Sequence, residues 1–166
     1  MTIIILILTV ILNTIIESTI ISYISILGYV PNIALIIITV VSLLKGKYHG
    51  AFLGLFLGLT QDILFGKVLG VNALIYFILV YTTGLIRNAL NVDNLTIPVI
   101  TTGLVTIAYN LLYFLIMFFL SMDINKNVLM KNIFSLEILY NGILSIFLYK
   151  IFSKFFGSPS LQFGRR

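Results

Sequence analysis

An all-α, polytopic membrane fold is what this sequence predicts, on three observations. Of the 166 residues, 60% are hydrophobic and only 9% are charged, where an ordinary soluble domain carries about 25% charged residues. The mean hydropathy is +1.18, so too little polar surface exists to face water all round. The apolar residues come in long unbroken runs separated by short polar punctuation, as helical spans do; barrel strands would alternate polar and apolar. The spacing predicts six transmembrane helices forming one domain over residues 1–156, followed by a short basic tail, 157–166.

The first helix is expected over residues 2–27 and carries Asn13 and Glu17 within its apolar run. No basic residue precedes it and no Ala-x-Ala site follows, so it reads as a retained helix rather than a cleaved signal. Gly28, Tyr29 and Val30 form a turn, and Pro31 marks the start of a second helix over 31–44, where a missing amide costs nothing. Lys45, Gly46, Lys47, Tyr48 and His49 end it. The third helix, 50–65, has the most distinctive pattern in the chain: Gly50, Gly54, Gly58 and Asp62 recur every fourth residue. Each step of four advances about 40° around a helix, so the four make one slowly winding stripe. In water each helix glycine costs about 0.8–1 kcal/mol relative to alanine. In lipid small residues at this spacing let helix backbones approach, which makes the stripe a packing seam with the other helices gathered around it. Gly66 and Gly70 flank the link to the fourth helix, 69–86, which Arg87 ends. The fifth helix is expected over 95–121 with Pro98 in its first turn, and the sixth over 133–156.

Helices two and three are short, which raises a re-entrant hairpin as an alternative. Burying Lys45 and Lys47 at its tip would cost about 2.5–3.5 kcal/mol per charge, so two spans are favoured. Six spans then place Lys45, Lys47, Arg87, Lys150, Lys154, Arg165 and Arg166 on one side and Lys67, Lys126 and Lys131 on the other. The side richer in basic residues is cytoplasmic, as are both termini. The net charge of +5 therefore reads as topology, not as affinity for nucleic acid, because the basic residues stand singly or in pairs at the ends of apolar runs.

This topology puts Glu17, Asp62, Asn32, Asn72 and Glu137 at one level, near the outer side. An ionisable residue inside a span usually faces the bundle interior or a wet cavity and is a functional candidate. An alternative has Asp62 capping or anchoring a helix end while Asn72 bonds a neighbouring backbone. If Asp62 acts through a hydrogen bond rather than its charge, Asp62→Asn should be tolerated and Asp62→Leu should not.

Absent motifs narrow the chemistry. There is no Gly-x-Ser-x-Gly elbow, His-Glu-x-x-His pair, Walker loop or dinucleotide-binding glycine motif. Nothing in the spacing requires Glu17 and Asp62 to meet as a catalytic dyad, and no catalytic residue or cofactor is expected. With no cysteine there is no disulfide framework and no thiolate ligand, and the only histidine, His49, lies on the opposite side from the carboxylates, so no metal site is expected. The tyrosines fall mostly near expected helix ends, where amphipathic rings suit the membrane interface.

Pro31-Asn32, then Gly50, Gly54, Gly58 and Asp62, then Gly66, Gly70 and Asn72 leading into the fourth helix together resemble the MreD family of bacterial rod shape-determining membrane proteins. The resemblance covers nearly the whole chain in helix order and is most specific between Pro31 and Arg87. That family often carries aspartate where this chain has Asn32. The resemblance implies a non-enzymatic membrane component of the cell-elongation complex. It would act with MreC in lateral peptidoglycan synthesis and, through it, with the actin-like MreB, a SEDS glycosyltransferase and a class B penicillin-binding protein. MreD is also similar in fold to the six-helix substrate-binding subunits of energy-coupling-factor vitamin transporters, and a transport subunit is the alternative reading. Thr14, Ser18 and Ser22 give the first helix a small-residue stripe that would serve either role.

Overall fold

The computed structural model describes residues 2–19, 31–90, 94–121 and 136–156. Among them are six α-helices and no strand: α1 (Thr2–Thr19), α2 (Ile33–Lys45), α3 (Lys47–Phe65), α4 (Val71–Ile86), α5 (Thr96–Phe119) and α6 (Leu136–Phe156), with a 3-10 turn at Arg87–Ala89. The expected continuation of the first helix to residue 27, Ser22 of its small-residue stripe, the start of the sixth helix at 133–135, and the tail lie outside the described residues. Val71–Ala89, Thr96–Phe119 and Glu137–Phe156 are each long and apolar enough to cross a membrane.

The helix at the centre is α2, not the glycine-striped helix around which the others were expected to gather. Every residue from Ala34 to Leu44 is buried. At about 1.5 Å per residue this helix is only about 20 Å long, short of a hydrocarbon core about 30 Å thick. Enclosure removes the mismatch, because its sides meet protein rather than lipid. It also explains a run so rich in Ile, Val and Thr, whose stiff side chains disfavour isolated helices but fill a packed interior well. By contrast α3 keeps a lipid-type face, with Phe52, Phe56, Ile63, Leu64 and Phe65 exposed.

Asn32 caps α2: its side-chain Oδ1 accepts the Leu35 N–H at 2.9 Å, so the helix begins at Ile33, with Pro31 one residue before the cap. Gly46 alone joins α2 to α3, and its φ of +86° is a conformation that a Cβ would disfavour. The chain reverses there, and α3 packs closely against both α2 and α4.

The glycine stripe forms these close contacts. A Cβ at Gly50 would lie 2.6 Å from Ser42 Cβ of α2; at Gly54, 2.9 Å from Val80 Cγ2 of α4; at Gly58, 2.4 Å from Ala73 Cα. At the other end of α4, a Cβ on Gly84 would lie 2.3 Å from Lys47 Cα. The stripe therefore faces the protein's own helices α2 and α4. Ser42 uses the closeness to donate from Oγ to the Val80 carbonyl at 2.6 Å, tying α2 to α4 beneath the seam.

A buried polar layer as the candidate functional site

Asp62 stands one turn from the end of α3, 1% exposed. Beyond it Gly66 ends the helix, and Gly70, at φ +93°, turns the chain so that α4 begins against the carboxylate. Asp62 Oδ2 accepts the N–H groups of Gly70 at 3.0 Å and Ala73 at 3.1 Å, while Oδ1 accepts the N–H of Asn72 at 3.1 Å and its side-chain Nδ2 at 2.9 Å. The first N–H groups of any helix lack intrahelical partners and carry partial positive charge. Here α4 has no side-chain cap of its own, and Asp62 supplies one from the neighbouring helix. Four donors on one carboxylate compensate the loss of water around it, the condition under which a charge can be buried.

The bonds continue outward from this pair. Asn72, its amide held by Asp62, accepts the Tyr109 hydroxyl of α5 on Oδ1 at 2.6 Å. One turn along α4, the Tyr76 hydroxyl lies 3.0 Å from Asn32 Oδ1 and 2.5 Å from Gln61 Oε1. A hydroxyl has one proton, so Tyr76 donates to one of these two oxygens at a time. The Asn32 N–H donates to Asn141 Oδ1 of α6 at 3.1 Å, and Asn141 Nδ2 donates to Thr106 Oγ1 of α5 at 3.1 Å. Thr106 passes its own proton to the Thr102 carbonyl at 2.8 Å. Side chains of α3, α4, α5 and α6 thus meet at the head of α2 in one layer.

Of the residues expected at one level, Asp62 and Asn72 are bonded directly, and Asn32 belongs to the same layer through Tyr76 and Asn141. Glu17 is buried on α1 close to the Ala34 backbone at the head of α2, and Glu137 neighbours Asn110 and Asn141. Asp62 and Glu17 do not form a dyad: both Asp62 oxygens are engaged with N–H donors. Asn13, 1% exposed, stands one turn before Glu17 with its amide beside that carboxyl.

Sequence reasoning missed Gln61, Tyr76, Tyr109, Thr106 and Asn141. Two of these correct an expectation. Tyr76 is 0% exposed and the Tyr109 ring lies tilted beside it, ring centroids 5.5 Å apart, so both are interior groups and not interfacial anchors. Their signal was polarity inside a long apolar run, which also fits a ring at the membrane surface. Among the described residues no cluster of His, Asp or Glu has the arrangement of a metal site.

A family model described as rod shape-determining protein MreD matches residues 1–158. No curated protein and no solved structure matches the chain.

Proposed function

Since the chain belongs to the MreD family of rod shape-determining proteins, we propose that it is a non-enzymatic scaffold of the cell-elongation complex, working with MreC to support lateral peptidoglycan synthesis. MreB, a SEDS glycosyltransferase and a class B penicillin-binding protein are engaged through that partnership. The bundle crosses the bacterial cytoplasmic membrane six times, with both termini cytoplasmic and the polar layer toward the outer side. In that frame α2 is a span enclosed by the others, and α1 and α3 join α4, α5 and α6, whose length and hydropathy already suffice to cross.

The observation that supports a scaffold is the use to which the polar residues are put. Asp62, Asn72, Asn32, Asn141, Tyr76 and Tyr109 bond one another or helix ends, and so serve to hold five helices together. Recognition is then left to the outward faces and the loops. Gly50, Gly54, Gly58, Gly66 and Gly70 serve the same end as internal packing and turn positions.

Affinity purification of the full chain from gently solubilised membranes, with mass spectrometry of retained proteins, tests the partnership. Recovery of MreC in near-stoichiometric amount is the expected outcome. Recovery of ATPase subunits of a transporter without MreC would overturn it.

A further inference from the structure

At the Lys47 end of the bundle three cations converge on Gly46, and we propose that they bind the headgroup phosphate of an anionic phospholipid. Gly46 is the single residue between α2 and α3, so Lys45 and Lys47 leave the chain on either side of one bend. Arg87 follows α4 directly, and its Nη1 lies 3.3 Å from the point a Gly46 Cβ would occupy, which sets the guanidinium over the bend. The close fit of Gly84 against the Lys47 backbone fixes this approach. Aromatic rings hold the two lysines: Lys45 Nζ is 5.1 Å from the Phe156 ring, and Lys47 Nζ is 5.2 Å from Tyr48 and 5.6 Å from Tyr81.

Rings steady a cation but do not neutralise it. The described carboxylates, Glu17, Asp62 and Glu137, all belong to the polar layer at the other end, and Lys45, Lys47 and Arg87 are all half-buried. Three partly desolvated positive charges, with no carboxylate beside them among the described residues, suit a mobile anion. The surroundings select its kind. Along the same end of α4, Leu85 and Ile86 are exposed apolar groups, a surface for acyl chains directly below the cations. A ligand that joins a phosphate to hydrocarbon satisfies both features, whereas free phosphate satisfies one. The inference requires only that the bundle lie in a bilayer; it does not depend on which partner protein the chain engages.

The test uses the full chain in nanodiscs of phosphatidylcholine doped with phosphatidylglycerol, with native mass spectrometry reading which lipid is retained after release. Phosphatidylglycerol should be enriched on the wild type. Each of Lys45→Gln, Lys47→Gln and Arg87→Gln should weaken its retention about fivefold, and the triple variant about a hundredfold. Lys67→Gln, at the exposed opposite end, should change nothing. No enrichment on the wild type, equal loss with Lys67→Gln, or undiminished retention in the single variants would each overturn the proposal. Should the triple variant not fold, the three singles decide it. A melting temperature in pure phosphatidylcholine that falls in the singles while lipid preference stays constant would assign the cations to capping helix ends instead.

Discussion

Gly58→Ala adds one methyl group at a close approach of α3 to α4. That methyl would lie 2.4 Å from Ala73 Cα and 2.5 Å from Ala73 N, both backbone atoms that no rotamer change can move. Reaching an ordinary contact of 3.4 Å requires the helices to part by about 1 Å. The same Ala73 N–H donates to Asp62 Oδ2 at 3.1 Å, one turn along α3, so parting the helices stretches it beyond the usual hydrogen-bond range. Overpacking costs about 1–3 kcal/mol and a weakened charged hydrogen bond about 1.5–3 kcal/mol, against about 1 kcal/mol gained from alanine's helix propensity. The net expectation is roughly 2–4 kcal/mol of destabilisation, or a melting temperature lower by roughly 6–12 °C. Gly103→Ala is the matched control. Its added methyl would meet only Ile138 Cγ2 at 3.5 Å, an ordinary contact, so stability should hold or rise by up to about 1 kcal/mol. The assay is thermal unfolding of both purified variants in detergent, followed by circular dichroism. Equal melting temperatures for the two variants would refute the reasoning.

Other substitutions probe the polar layer. Tolerance of Asp62→Asn was expected only if Asp62 acts through a hydrogen bond rather than its charge; with both oxygens facing N–H donors, either orientation of the amide sets an NH2 against two of them. Asp62→Asn should therefore cost roughly 2–3 kcal/mol, measured by the same unfolding experiment, and a wild-type melting temperature would contradict the capping role. Tyr109→Phe removes a single bond to Asn72 and should cost only about 0.6–1.5 kcal/mol. Gly70→Ala forces a Cβ into a left-handed conformation with open space around it, so a loss of about 1–2 kcal/mol there would come from backbone strain alone, and Gly70→Asn should recover part of it.

Fold class and the glycine stripe were legible in the sequence for a plain reason: composition and a four-residue period are properties of the chain itself. Gly50, Gly54, Gly58 and Asp62 are indeed all buried on α3. The central place of α2 was not legible, because a helix apolar on every side has no stripe to show which neighbours it meets. The partners of Asp62 were hidden for a different reason. Three of its four bonds come from backbone N–H groups, which any residue carries, and only Gly70 and Asn72 just beyond the helix hinted at the turn that presents them. Tyr76 and Tyr109 were misplaced because a tyrosine within an apolar run looks the same whether its hydroxyl reaches water or a buried asparagine.

The claim that this chain shapes cells as a scaffold, without chemistry of its own, meets its most direct test in Glu17 and Glu137. They are the two described carboxylates not consumed in capping α4, and any proton-transfer or ion-coupled activity in the layer would need them ionisable. Glutamine keeps their size and hydrogen-bonding capacity. In cells depleted of the native chain, the Glu17→Gln, Glu137→Gln double variant is expected to restore rod shape, read as length-to-width ratio, at wild-type membrane abundance. Round cells at that abundance would contradict the account.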